Sequence, residues 1–168
     1  DGGLKVSADK NAVGGIYLKG SEKLAFENNS DFAMTMWIRM TDKQVGDPVI
    51  VSNKDWKRGV NSGLALIAAK QFKSRWVKST PGVSVNVGAN GKKRKDLGPY
   101  DVAYNAWNFY AVTKDKHGLL RFYQGRDDGY LYMISEDFTG LKFITGLPFY
   151  IGQDGTGRYN SCFNGYVD

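Results

Sequence analysis

From Phe32 to Met40 the chain alternates: Phe32, Met34, Met36, Ile38 and Met40 hold the even positions, while Ala33, Thr35, Trp37 and Arg39 hold the odd ones. Successive side chains of a strand point to opposite faces, so this period of two predicts a strand with one face on a core. Val83, Val85 and Val87 alternate with Ser84 and Asn86 in the same way, and shorter runs at 15–19, 48–52, 63–69, 106–113, 119–124, 130–135 and 148–152 predict further strands. Lys114 to Gly118 (KDKHG) and Gly125 to Gly129 (GRDDG) carry the glycine and aspartate of tight turns. No segment has a helical period, no repeat recurs at a fixed spacing, and no Pro- or Ser-rich linker divides the chain. The expected fold is all-β: one antiparallel β-sandwich over residues 1–168. Trp37 and Trp107, flanked by strand residues, are expected in its core.

Composition supports that class. The 168 residues fit one domain, and 21 glycines with ten tyrosines supply turns and flat rings in excess. No apolar run approaches the roughly 18 residues of a membrane span, so none is expected. The chain opens at Asp1 with neither an initiator Met nor a signal sequence, and it reads as a piece of a larger secreted or surface protein. One cysteine, Cys162, excludes an internal disulfide and a cysteine-cluster metal site.

The net charge of +6 is partly local, because Lys92, Lys93, Arg94 and Lys95 follow one another without a break. Such a run is either a solvated loop or a contact for a polyanion, whose local concentration clustered cations raise. Nucleic acid would call for stacking aromatics interleaved with the cations, and this run has none, so no nucleic-acid partner is expected.

Familiar catalytic sets are missing. His117 is the only histidine and lies in an evident turn, which leaves nothing for a histidine-assisted nucleophile or a multi-histidine zinc site. None of Glu22, Glu27 and Glu136 stands near another acid at the alternating spacing that would set two carboxylates on one strand face, as retaining glycoside hydrolysis requires. Asp127 and Asp128 adjoin in a turn and read as solvated, and no helical pattern follows Gly152 to Gly157 (GQDGTG) to make it a phosphate loop.

The stretch "GDPVIVSNKDWKRGVNSG", residues 46–63, joins an apolar strand to a loop closed by glycines. Sugars present an apolar face with a rim of hydroxyls. Binding them calls for an aromatic plate, here Trp56 or Trp76, beside amides and carboxylates such as Asn53 and Asp55. Gln153, Asp154, Arg158 and Tyr159 of "IGQDGTGRYN" are expected beside this loop, with Lys54 and Arg158 available to a carboxylate or sulfate. The competing reading makes Trp56 a plug at the sandwich end, with Lys54 and Asp55 paired to charges around Asp154.

The segments "FAMTMWIRM", "GDPVIVSNKDWKRGVNSGLAL", "AWNFYAVTKD" and "LPFYIGQDGTGRYNSCFNGYVD" together resemble the laminin G-like, concanavalin A-like lectin/glucanase superfamily. They look most like the bacterial branch appended to secreted metallophosphoesterases, sialidases and adhesins. The resemblance runs from about Phe32 to Asp168. It implies a jelly roll of two curved antiparallel sheets, ligands on the concave face or rim loops, and often one calcium ion. Asp168 matches an aspartate that commonly helps to hold that calcium, with carbonyls around Gly20 and Ser21 as candidate partners; strand pairing at the chain end is the alternative. The basic segments "KQFKSRWVKST" and "NGKKRKDLGPY" depart from a neutral-sugar binder and favour acidic glycans.

The function expected from all this is a non-catalytic carbohydrate-recognition or adhesion module of a secreted or cell-surface bacterial protein. A structural or protein-interaction spacer is the alternative, and a glycan lyase or hydrolase of the same fold is a third.

Overall fold

The computed structural model describes residues 2–7, 15–23, 30–126, 128–141 and 143–168 apart from 73–79, with the main chain alone at 69–72, 80, 99 and 100. Trp76 and Asp127 therefore lie outside the described residues. Twelve strands follow in chain order: β1 (Leu4–Val6), β2 (Ile16–Tyr17), β3 (Phe32–Met40), β4 (Val49–Ser52), β5 (Gly63–Phe72), β6 (Thr80–Ala89), β7 (Lys93–Asp101), β8 (Trp107–Lys114), β9 (Leu119–Gly125), β10 (Leu131–Asp137), β11 (Tyr150–Ile151) and β12 (Gly165–Val167). The one helical element among the described residues is a 3-10 turn, Ser21–Lys23.

The strands form two antiparallel sheets of six, in the orders β1-β12-β3-β8-β9-β10 and β2-β11-β4-β5-β6-β7. The alternation in β3 is what seats the first sheet: Met36, Ile38 and Met40 point into the core while Trp37 and Arg39 point out. Leu64, Leu66 and Ala68 of β5 and Val83, Val85 and Val87 of β6 meet them from the second sheet, with Tyr110, Phe122, Phe138 and Phe163 filling the space between. At one edge the two sheets are strapped together by an ion pair of 2.8 Å from Lys95 on β7 to Glu136 on β10.

Two expectations change. Lys93, Arg94 and Lys95 open β7 instead of forming a loop, and two-residue alternation hides this because cations occupy both faces of an edge strand. Trp37 and Trp107 are not core residues: they are 48% and 37% exposed on the outer face of the first sheet. Both stand in strands, as expected, but in strict alternation Trp37 shares a face with Arg39, which keeps its cation in water. His117 stands in the turn between β8 and β9, as expected.

Strand β5 breaks the alternation. Leu64, Ala65, Leu66, Ile67 and Ala68 are all buried, so both faces of this strand are covered. The inner face lies on the main core, whereas Ala65 and Ile67 meet Val49 and Trp56 in a second, smaller cluster. That second cluster is built by the loop after β4.

Candidate functional site

Residues 53–62 leave β4 and fold back over the outer face of the second sheet. The crossing is close: a Cβ on Gly88 of β6 would collide with the Asn61 carbonyl, so only glycine fits beneath the loop. Lys54 is the loop's internal fastener. Its side chain is fully buried, and Nζ donates to the Gly59 carbonyl at 2.7 Å and to Asn86 Oδ1 at 2.5 Å. Asn86 in turn donates to Asp96 Oδ1 at 2.6 Å, and Arg94 closes the chain on Asp96 Oδ2 at 2.9 Å. Burial lowers the Lys54 pKa to about 7, with the like charge of Arg94 adding to the effect.

The loop 152–160 packs against this strap from the other side. Gly155 approaches so closely that a Cβ there would stand 2.6 Å from the Asn53 carbonyl carbon, and its N–H donates to the Lys54 carbonyl at 2.9 Å. Asp154 is buried and acts as a hub: Oδ2 accepts the Trp56 N–H at 3.0 Å, while Oδ1 accepts the Thr156 N–H at 3.1 Å and the Thr156 hydroxyl at 2.7 Å. Gln153 holds the loop ends together, accepting the N–H groups of Asp154 (2.8 Å) and Tyr159 (3.0 Å) and donating to the Tyr159 carbonyl (2.8 Å). Asn53 Oδ1 accepts the Leu64 N–H at 2.9 Å. Asp47 joins the two loops, taking the Trp56 indole N–H at 3.2 Å and the Tyr159 hydroxyl at 2.7 Å. Burial, together with the hydrogen bond to Asp47, raises the Tyr159 pKa.

The two expected segments therefore do meet, but their residues divide into two classes. Asn53, Lys54, Trp56, Gln153 and Asp154 are buried, with their polar atoms turned to loop backbone and neighbouring side chains. Trp56 is only 6% exposed, which corrects its expected role as an open plate: the indole covers Val49, Ala65 and Ile67. Trp56 is a plug, but over the outer face of the second sheet and not at the sandwich end, and neither Lys54, which turns to Asn86, nor Asp55, which accepts the Lys57 N–H at 2.9 Å, pairs with a charge around Asp154. Asp55, Arg158 and Tyr159 keep access to water and line an open groove of about 860 Å³ with Lys57, Tyr150 and Asn160. Sequence reasoning missed Lys57, Tyr150 and Asn160 as groove residues and Asp47 as the joint. Asp47 was visible as the one acid at the head of the 46–63 stretch, but nothing local says that its partners come from both loops.

Asp168 pairs through its main chain with Trp37, donating its N–H at 2.9 Å and accepting at 2.8 Å. Of the expected carbonyl partners, that of Gly20 accepts the Lys23 N–H at 3.1 Å, while the Ser21 hydroxyl donates to the Leu18 carbonyl and accepts the Phe149 N–H at the edge of the other sheet. Among the described residues no three acidic, histidine or cysteine side chains come together. Asp168 is thus one carboxylate where calcium takes six to eight oxygens.

A family model described as the concanavalin A-like lectin/glucanases superfamily matches residues 12–168. The chain belongs to this superfamily. Within the superfamily fold, it is similar to the carbohydrate-binding module CBM40 of the Ruminococcus gnavus IT-sialidase, at 18% identity and a TM-score of 0.70, covering 99% of this chain and 88% of that one. The same module bound to alpha2,3 sialyllactose gives 18% identity and a TM-score of 0.68, with 98% and 85% covered. Tailspike protein 2 of Escherichia coli O157:H7 bacteriophage CAB120 is also similar, at 14% identity and a TM-score of 0.62, covering 98% of this chain and 22% of that one. No curated protein matches the sequence. No helix among the described residues is long and apolar enough to cross a membrane.

Proposed function

We propose that this chain is a non-catalytic carbohydrate-binding module, presented outside the cell by a larger protein, that takes acidic glycans in the groove between the 53–62 and 152–160 loops. One observation carries the reading: the buried half of the two loops is a hydrogen-bonded scaffold, and what it leaves around an open groove is two tyrosines, two cations, one amide and one carboxylate. Tyr150 and Tyr159 offer ring faces to a pyranose, Lys57 and Arg158 offer charge-assisted bonds to a carboxylate or sulfate, and Asn160 and Asp55 take hydroxyls. The sialyllactose-bound CBM40 structure supports the ligand class, since its fold is shared.

The test is binding of sialylated, sulfated and neutral oligosaccharides to the whole chain, with Arg158→Ala as the variant. Arg158 is exposed, so truncation leaves the fold intact. Selective binding of acidic glycans that weakens in the variant and with added salt supports the reading. Binding that ignores both charge and the variant sinks it, as does release of cleaved or unsaturated sugar products.

A further inference from the structure

The outer face of the first sheet carries an arrangement that the groove does not use. Strand register places Leu131, Gly125, Phe109 and Trp37 in one row across β10, β9, β8 and β3. The next row runs Lys5, Tyr166, Arg39 and Trp107 across β1, β12, β3 and β8. Because Gly125 has no side chain, the first row dips in its middle. Trp37 and Trp107 stand on one side of the depression, Tyr130 and Leu131 on the other, and Phe109 forms the floor, enclosing about 500 Å³. Three strand spacings separate Leu131 from Trp37, about 14 Å, which is room for a sugar ring lying between them.

The depression is not a plain apolar patch. Among the described residues neither indole N–H of Trp37 and Trp107 nor the hydroxyl of Tyr130 has a hydrogen-bond partner, so three donors remain for a ligand. Behind Trp107, outside the lining, Arg39 stacks over the rings of Tyr166 at 4.1 Å and Trp107 at 5.5 Å and so supports the indole from its far side. Arg126, at the rim, reaches Asp128 only at 3.6 Å, and that acid also accepts the Tyr132 hydroxyl. Exposed tryptophan faces, open donors and a cation at the rim are together complementary to a pyranose that bears a negative group.

We infer that this depression is a second glycan site, in which a sugar ring stacks on Trp37 while its carboxylate or sulfate meets Arg126. The ligand class rests on the groove reading; the location does not. Two sites on opposite faces would let one module bridge two strands of an anionic polysaccharide, raising avidity without a new contact in either site.

The indole N–H signals of the tryptophans report on each face separately in a nuclear magnetic resonance titration with a chondroitin sulfate hexasaccharide. The expected result is that the Trp37 and Trp107 signals move in the wild-type chain and equally in Arg158→Ala. In Trp37→Ala the Trp107 response weakens at least about tenfold while signals around Arg158 still respond. Trp37→Tyr, which keeps a ring, serves as the conservative control and retains part of the binding. Stationary Trp37 and Trp107 signals, with responses near Arg158, overturn this site and leave the groove. The reverse pattern leaves this site and overturns the groove. Movement of the two indoles with protein concentration in the absence of sugar overturns the inference in favour of a second copy of the chain covering the face.

Discussion

The backbone N–H of Trp56 donates to Asp154 Oδ2 at 3.0 Å, although the two residues are 98 positions apart. That one carboxylate fixes the strap over the second sheet and, through Thr156, the loop that walls the groove. Asp154→Ala is expected to lower stability by at least the about 1.5–3 kcal/mol of one hydrogen bond to a charged group, read by urea unfolding. Asp154→Asn, which keeps an acceptor, is expected to cost less. Equal stability of both variants with the wild type would show that the hub is dispensable.

Trp56 and Trp37 make a contrast that thermal melting can read. Trp56→Ala empties the small cluster beneath the strap and takes the indole donor from Asp47 Oδ2, for an expected loss of about 3–5 kcal/mol. Trp37→Ala removes an exposed ring whose edge contact with Phe109, at 5.4 Å, is worth below about 1.5 kcal/mol. Similar melting temperatures for the two variants would contradict this assignment of inside and outside.

Lys54 gives a pH signature. Its pKa falls from 10.5 unfolded to about 7 folded, so between those values the unfolded chain binds the extra proton. Stability from this group therefore rises with pH from about 7 toward 10.5, and the cost of burying the charge is fully present below 7. Lys54→Met leaves the Gly59 carbonyl and Asn86 Oδ1 without their donor, costing about 1–3 kcal/mol, and its deficit relative to wild type should widen as pH rises. Parallel melting-temperature curves for the two proteins from pH 7 to 10 would rule out a titrating lysine.

The fold was legible where alternation was clean. Strands β3 and β6 and the turns of β8, β9 and β10 follow directly from period-two runs and turn residues. Strand β7 was hidden because an edge strand can carry cations on both faces, and β1 and β12 because three residues are too few to show a period. At the site, the sequence brought the right two segments together but assigned their most conspicuous residues to the ligand. Short polar side chains between glycines are equally suited to tying loop backbone, and Asn53, Gln153 and Asp154 do this. What decides between those uses is burial, which depends on contacts about a hundred positions away.

The strap turns what would be the outer surface of β5 and β6 into an interior, so Ala65 and Ile67 are screened from water on both sides. Their amide protons can exchange with solvent only when the Lys54 fastener releases or the whole sandwich opens. The centre of the second sheet should thus be the last part of the molecule to take up deuterium, while the exposed strand β10 labels early.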